Sequence, residues 1–77
     1  MSFSKEIKML RERLYLTQNE FAKALNVSFS TVNRWEKGKA RPNISTMKEV
    51  KKFCENKEVD YSSVEEAWLK MDLEAKK

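Results

Sequence analysis

Histidine is absent from this 77-residue sequence, and cysteine, glycine and proline each occur once. The single Cys54 excludes a disulfide within the chain, and a zinc site needs several Cys or His ligands. Without a His to act as its base, Cys54 is better interpreted as a small apolar residue on a helix face than as a nucleophile. Ser–His–Asp sets and phosphate-binding glycine loops are missing too. We therefore predict no enzymatic activity, no cofactor, no metal and no small-molecule ligand.

The sequence also lacks a long apolar run. A membrane-spanning helix needs about 20 such residues, and no segment approaches that length. The first residues, Met1–Glu6, do not form the apolar region of a secretory signal. We therefore expect no membrane partner and a cytoplasmic protein, associated with a bacterial or phage nucleoid.

The composition that is present, 40% hydrophobic and 36% charged, is typical of one small globular domain rich in helix. The charge is distributed unevenly along the chain. Residues 1–53 contain 12 Lys and Arg against 5 Glu, whereas residues 54–77 contain 4 Lys against 7 Asp and Glu. A basic N-terminal part and an acidic C-terminal part indicate that a polyanionic partner binds one side of the domain.

Hydrophobic periodicity and the scarcity of helix breakers predict an all-α fold, a compact bundle of five short helices. We expect a helix-turn-helix core over 5–56 and a connection with the fifth helix over 57–77, within a single domain 1–77. The tail from about Leu73 is expected to fray. The predicted helices are Lys5–Tyr15, a second from Thr17 to Leu25, a third from Ser28 to Lys37, Ile44–Glu55, and a fifth that begins at Ser62 or Ser63.

Helix ends are marked by capping residues. Thr17 to Glu20 fits a capping box, and Asn26 can take the left-handed conformation that ends the second helix. Gly38 is placed to end the third helix in the same way. Further N-cap predictions are Ser28, Asn43 and two overlapping capping boxes over Ser62–Glu66. The inner faces are predicted to hold Ile7, Leu10, Leu14, Phe21, Ala22, Leu25, Val32, Trp35, Ile44, Met47, Val50, Cys54, Val64, Ala67, Trp68 and Met71.

The third helix has two contrasting faces. At about 100° per residue, Val32 and Trp35 share one arc and face inward. The opposite arc carries side chains suited to base edges in the major groove, although an ordinary solvated helix face is the alternative. Its members are Phe29, Ser30, Asn33, Arg34 and Lys37, of which Phe29 is either exposed or partly buried.

Cations and free amides flank this helix. Gln18 lies in the first turn of the second helix, where main-chain N–H groups attract an anion. Lys37, Lys39 and Arg41 follow the third helix, and they either contact phosphate or simply solubilise a loop. The pattern predicts contacts to the DNA backbone at both ends.

Two segments, Thr17–Ser28 and Ser30–Gly38, followed by Arg41-Pro42, resemble the Xre, or lambda repressor-like, helix-turn-helix family. The resemblance covers about residues 5–56, and it implies a four- or five-helix domain that docks its third helix in the major groove. It also implies an ion pair of Arg11 with Glu36, where the alternative is two independent surface charges. It implies base-edge contacts from Phe29, Ser30, Asn33 and Arg34, and phosphate contacts from Gln18, Ser28 and the loop Lys39–Arg41.

Two positions depart from the family pattern. Asn26 stands where glycine is frequent, a conservative change for the backbone. Phe29 stands where relatives usually have a polar residue, which argues against a hydrogen bond to a base at that position.

The leading functional prediction is a sequence-specific regulator of transcription that binds double-stranded DNA, with repression the expected outcome. A homodimer through the fifth helix is predicted on Trp68, Met71 and Leu73, unless these side chains only close the monomer's core. The second hypothesis is a protein-interaction module, antitoxin-like or anti-repressor, that uses the same fold. Binding that weakens steeply with salt would favour DNA, because contacts to phosphate release counterions.

Overall fold

The computed structural model describes the backbone of residues 2–75 and the side chains as far as Met71. This part of the chain contains five α-helices and no strand, which confirms the predicted all-α fold. The bounds agree with prediction to within about two residues, and the last helix extends to Ala75. The helices are α1 Phe3–Arg13, α2 Gln18–Leu25, α3 Phe29–Glu36, α4 Ile44–Asn56 and α5 Ser62–Ala75.

Four helices begin with a side chain that accepts from the first turn. The Thr17 hydroxyl accepts from Glu20 N–H at 3.1 Å, and the Glu20 carboxylate accepts from Thr17 N–H at 2.9 Å, so the capping box is formed. Ser28 and Asn43 cap α3 and α4 as predicted. Ser2 caps α1 and starts it two residues before the predicted position.

The start of α5 differs from the prediction. The helix begins at Ser62, so this residue is helical and does not act as the N-cap. Its N–H and its hydroxyl donate to the Asp60 carboxylate at 3.0 and 2.8 Å, and these two bonds lower the pKa of Asp60. An aspartate two residues upstream therefore takes the place of the predicted capping boxes.

α1, α2, α3 and α4 are each followed by a residue with positive φ. Asn26 (φ 61°) and Gly38 (φ 74°) take this conformation as predicted, since both residue types tolerate it. Tyr15 and Glu58 take it as well, although neither residue type favours it. At each of the four sites the next residue donates back to a carbonyl five positions earlier, which closes a Schellman motif.

One hydrophobic core joins all five helices. α1 packs against α3 and α5, and α2 packs against α3 and α4. Phe3 belongs to this core although it was not predicted to, and Ile44 was wrongly placed in it, since 65% of its surface is exposed. Leu14, Trp68 and Met71 pack on the core only partly buried. The buried side chains are Phe3, Ile7, Leu10, Phe21, Ala22, Leu25, Val32, Trp35, Met47, Val50, Cys54, Val64 and Ala67.

The helices are short in comparison with a lipid bilayer. Within the described residues, none is both long and apolar enough to cross a membrane.

Candidate nucleic-acid interface

A three-residue turn joins α2 to α3 and sets the angle between them. Asn26 reverses the chain in the left-handed conformation, with φ 61° and ψ 41°. Val27 is partly buried against the core, and Ser28 then caps α3 through a bond of 3.2 Å from Thr31 N–H. Each residue of the turn makes its own local interaction, and together these short-range interactions hold α3 against α2.

The two faces of α3 separate as the helical wheel predicts. Val32 and Trp35 are buried, and they hold α3 on the core. On the opposite face Phe29 is 49% exposed, which decides between the two alternatives for this residue in favour of exposure. Ser30, Arg34 and Lys37 are exposed on the same side, and Asn33 is partly exposed.

Four polar side chains form a connected line between α1, α2 and α3, and we call this line the polar seam: Arg11, Gln18, Asn33 and Glu36. Arg11 binds Glu36 through two contacts, Nε to Oε2 at 2.7 Å and Nη2 to Oε1 at 3.0 Å. Gln18 Nε2 donates to Glu36 Oε1 at 3.0 Å and lies 3.4 Å from Asn33 Oδ1. Asn33, on the outward face of α3, is thereby linked to α2 by Gln18, and the Glu36 carboxylate connects Gln18 to Arg11 of α1.

The ion pair of the polar seam is sheltered from water. The Arg11 and Glu36 side chains are 12% and 5% exposed. Arg11 Nη1 also donates to the Leu16 carbonyl at 2.9 Å. The pKa of Arg11 is raised, chiefly by its hydrogen bond to Glu36, so the guanidinium keeps its charge. The structure thus contains an ion pair at these positions and not two independent surface charges.

The residues predicted to contact phosphate differ in their exposure and in their partners within the chain. Lys37 and Lys39 are exposed beside the end of α3. The Ser28 hydroxyl lies within 3.2 Å of Ser30 Oγ and 2.8 Å of Thr31 Oγ1, so it is engaged in the cap. Gln18 has its side-chain amide in the polar seam, but its main-chain N–H lies at the N-terminus of α2.

Arg41 has a contact that the sequence did not suggest. Its guanidinium carbon lies 4.4 Å from the centre of the Trp68 ring, and its Nη2 donates to the Trp68 carbonyl at 3.3 Å. The indole Nε1 of Trp68 in turn donates to the Pro42 carbonyl at 2.7 Å. The loop after α3 is therefore anchored to α5 by a cation–π contact and two hydrogen bonds.

The acidic side chains and Cys54 of the described residues do not form an enzyme-like cluster. Among the side chains that the structure describes, as far as Met71, no group of three or more His, Cys, Asp or Glu could bind a metal. Cys54 is fully buried, and its burial raises the pKa of the thiol to about 11. At neutral pH this thiol is protonated and shielded, in agreement with its interpretation as a core residue.

Comparison with known proteins places this arrangement in a family. A family model described as helix-turn-helix matches residues 7–61, which include all of α2, α3 and α4. The chain belongs to the helix-turn-helix family. The resemblance to Xre and lambda repressor-like domains is confirmed by this match. The family and the fold support the predicted class, a DNA-binding regulator of transcription.

Two curated relatives are similar over the same region. The chain is 38% identical over 53 residues to the HTH-type transcriptional activator BcrR of Enterococcus faecalis, a match that covers 69% of the chain and 26% of that protein. It is 46% identical over 50 residues to the type II methyltransferase M.SsoII of Shigella sonnei, which covers 61% of the chain and 13% of that protein. The chain thus spans a small part of each relative. No solved structure gave a significant match.

The site includes interactions that sequence reasoning missed. The bonds from Gln18 to Glu36 and Asn33 were not foreseen, although a glutamine at the start of α2 facing a charged residue of α3 is a signal for such a contact. The packing of Arg41 on Trp68 was also missed, because it joins residues 27 positions apart.

Proposed function

We propose that this chain is a sequence-specific regulator of transcription that binds double-stranded DNA with α3 in the major groove. The observation that carries the proposal is the division of α3, with Val32 and Trp35 buried and a polar face turned outward. The outward residues have the chemistry of base readout, because Arg can donate twice to guanine and Asn can bind adenine. The proposed base-edge residues are Phe29, Ser30, Asn33 and Arg34.

Contacts to phosphate would fix the position of α3 on the duplex. We assign them to Lys37 and Lys39 beyond the end of α3, and to the Gln18 main-chain N–H at the positive end of α2. Ser28 and Arg41 are weaker candidates, because each already has partners within the chain. The proposed role of Phe29 is apolar contact with a thymine methyl group, since half of its surface is exposed.

Selection of bound sequences from random duplex DNA tests this proposal. We expect a short consensus, and affinity for it that falls steeply as salt rises, because bound cations on the duplex are released. A shuffled duplex with the same composition is the control. Equal affinity for the consensus and the shuffled duplex at every salt concentration would contradict sequence-specific binding.

A homodimer is proposed for the assembly that binds DNA, because one short reading helix contacts few base pairs. The predicted surface was Trp68, Met71 and Leu73. Trp68 and Met71 pack on the core, and the side chain of Leu73 lies outside the described residues. The exposed apolar residues nearby are Ile44 and Leu69, at 65% and 56%, and both line one groove with Trp68. We name these three residues, Ile44, Trp68 and Leu69, the apolar groove, and propose it as the dimer surface.

Sedimentation analysis tests the dimer. Ile44→Ser and Leu69→Ser should shift the chain towards monomer, whereas Met9→Ser, at an exposed residue of α1, should not. A dimer of this kind would recognise two half-sites about 34 Å apart along the duplex. A sedimentation coefficient unaffected by both groove substitutions would exclude this surface.

Repression is the proposed direction of regulation. Occupation of a promoter by a DNA-binding domain is enough to exclude a polymerase, whereas activation requires a further contact. BcrR is named an activator, so a promoter-fusion reporter carrying the selected consensus is the deciding measurement. Lower reporter expression in the presence of the chain would support repression, and higher expression would contradict it.

A protein-interaction module is the second candidate, in the sense of an antitoxin-like or anti-repressor partner. The observation in its favour is a second exposed apolar region, with Tyr15 at 93% and Met9 at 43% exposure beside Val59. A contact of this kind would vary little with salt, in contrast to binding to DNA. A salt titration therefore separates the two candidates.

A further inference from the structure

The orientation of the Asn33 side-chain amide follows from the polar seam. Glu36 accepts from Arg11 through both of its carboxylate oxygens, at 2.7 and 3.0 Å. A carboxylate paired in this way acts only as an acceptor. The Gln18 atom that lies 3.0 Å from Glu36 Oε1 must therefore be the amide nitrogen.

The fixed amide of Gln18 then determines its contact with α3. Its nitrogen has two hydrogens, one directed to Glu36 and one towards the Asn33 side chain, 3.4 Å away. An oxygen of Asn33 can accept this second hydrogen, whereas an NH2 group there would oppose one donor to another. Asn33 thus turns Oδ1 towards Gln18, and its Nδ2 donors are left for a partner outside the chain.

We propose that Gln18 is a positioning residue that presents Asn33 to DNA as a hydrogen-bond donor. This proposal rests on the proposed function and deepens it by naming what Asn33 reads. A donor selects a base pair that offers an acceptor, such as thymine O4 or guanine O6 and N7. The two-bond pairing with adenine also needs Oδ1 as an acceptor, and it is disfavoured because the contact with Gln18 takes one of the two lone pairs of that oxygen and turns the oxygen towards α2.

Asn33→Asp tests which atom of Asn33 is read. The substitution keeps an oxygen towards Gln18 and replaces the donor with an acceptor. In selections from random duplex DNA we expect one position of the consensus to move from an acceptor-bearing base to cytosine, whose amino group suits a carboxylate. Affinity for the original consensus should fall tenfold or more. Asn56→Asp, at an exposed residue at the end of α4, adds the same charge and should leave the preferred base unchanged.

Gln18→Ala tests the positioning role. It keeps the main-chain N–H at the start of α2 but frees the Asn33 amide to rotate. Discrimination should weaken at the base pair that responds to Asn33→Asp and persist at the pair read by Arg34. A general loss of folded protein would not produce this pattern, since the ratio of affinities for two duplexes is independent of the folded fraction.

The outcomes separate this inference from the proposed function. If no consensus is selected by the unmodified chain, the proposed function fails, and this inference fails with it. If a consensus is selected but Asn33→Asp retains the same base preference, or Gln18→Ala retains full discrimination at that pair, only the orientation of Asn33 is overturned.

Discussion

The two sides of this bundle are held together by different chemistry. Between α1, α2 and α3 the polar seam joins charged and amide side chains across three helices. Around α4 and α5 most contacts are apolar, with the buried Cys54 in α4 and the apolar groove open on the surface, and Trp68 adds polar contacts to the loop residues Arg41 and Pro42. Directional bonds fix the helix proposed to read DNA, whereas non-directional packing makes the larger contribution for α4 and α5. Four predictions test this contrast, beginning with the largest effect.

Removal of one charge from the polar seam should have the largest effect on stability. Arg11→Met leaves Glu36 sheltered without its partner, and we expect a loss of about 3–5 kcal/mol in the free energy of unfolding. Urea denaturation measures it. Arg13→Met is the matched control, because Arg13 lies exposed on the same helix, and its cost should stay below about 1 kcal/mol. Equal losses of unfolding free energy in the two variants would contradict a stabilising role of the polar seam beyond that of an exposed charge.

The buried thiol of Cys54 should make the free energy of unfolding depend on pH. The pKa of Cys54 is raised from 9.0 to about 11, so the folded chain holds this proton more tightly than the unfolded chain does. The protonated thiol contributes about 2–3 kcal/mol to the free energy of unfolding. This stabilisation is fully present below pH 9 and is lost as the pH rises through 11. Urea midpoints compared with Cys54→Ala across this window isolate the effect, since other groups titrate equally in both proteins. Parallel pH profiles would contradict it.

On the outward face of α3, Arg34→Ala should remove discrimination at one base pair. Because Arg donates two bonds to guanine, we expect a loss of about 1–3 kcal/mol in specific binding and a relaxed preference at that pair. Fluorescence anisotropy with the consensus duplex and single-base variants measures it. An identical loss on consensus and random DNA would mean that Arg34 contacts only the backbone.

Lys39→Ala should have the smallest effect, and a uniform one. Removal of one phosphate contact weakens binding to all duplexes alike and lowers the slope of log affinity against log salt by about 1. Lys70→Ala, at an exposed residue of α5, serves as the control and should leave the slope nearly unchanged. A loss confined to the consensus duplex would assign Lys39 to base readout instead.

The features that were predictable from sequence are local ones. Capping at Thr17, Ser28 and Asn43 depends on side chains within three residues of the helix start, so it can be predicted from the residue types there. The left-handed turns at Asn26 and Gly38 are recognisable for the same reason. At Tyr15 and Glu58 the helix ends in the same geometry without a favourable residue, and the residue that follows each of them, Leu16 or Val59, packs on the core.

The features that were missed depend on distant residues. Ile44 has the spacing of an inward position of α4, but it lies at the first residue of the helix, where the core does not extend. The contact of Arg41 with Trp68 and the bonds of Gln18 both join separate helices or loops. Periodicity identifies a buried face, whereas only tertiary structure shows which polar groups meet across it.

The central claim is that the outer face of α3 binds duplex DNA. Heteronuclear NMR of the chain during titration with its selected consensus duplex tests it most directly. The account predicts the largest shift changes at Phe29, Ser30, Asn33 and Arg34, including the Asn33 side-chain amide, with small changes in α5. Shift changes concentrated on the apolar groove, with the α3 signals unmoved, would contradict it.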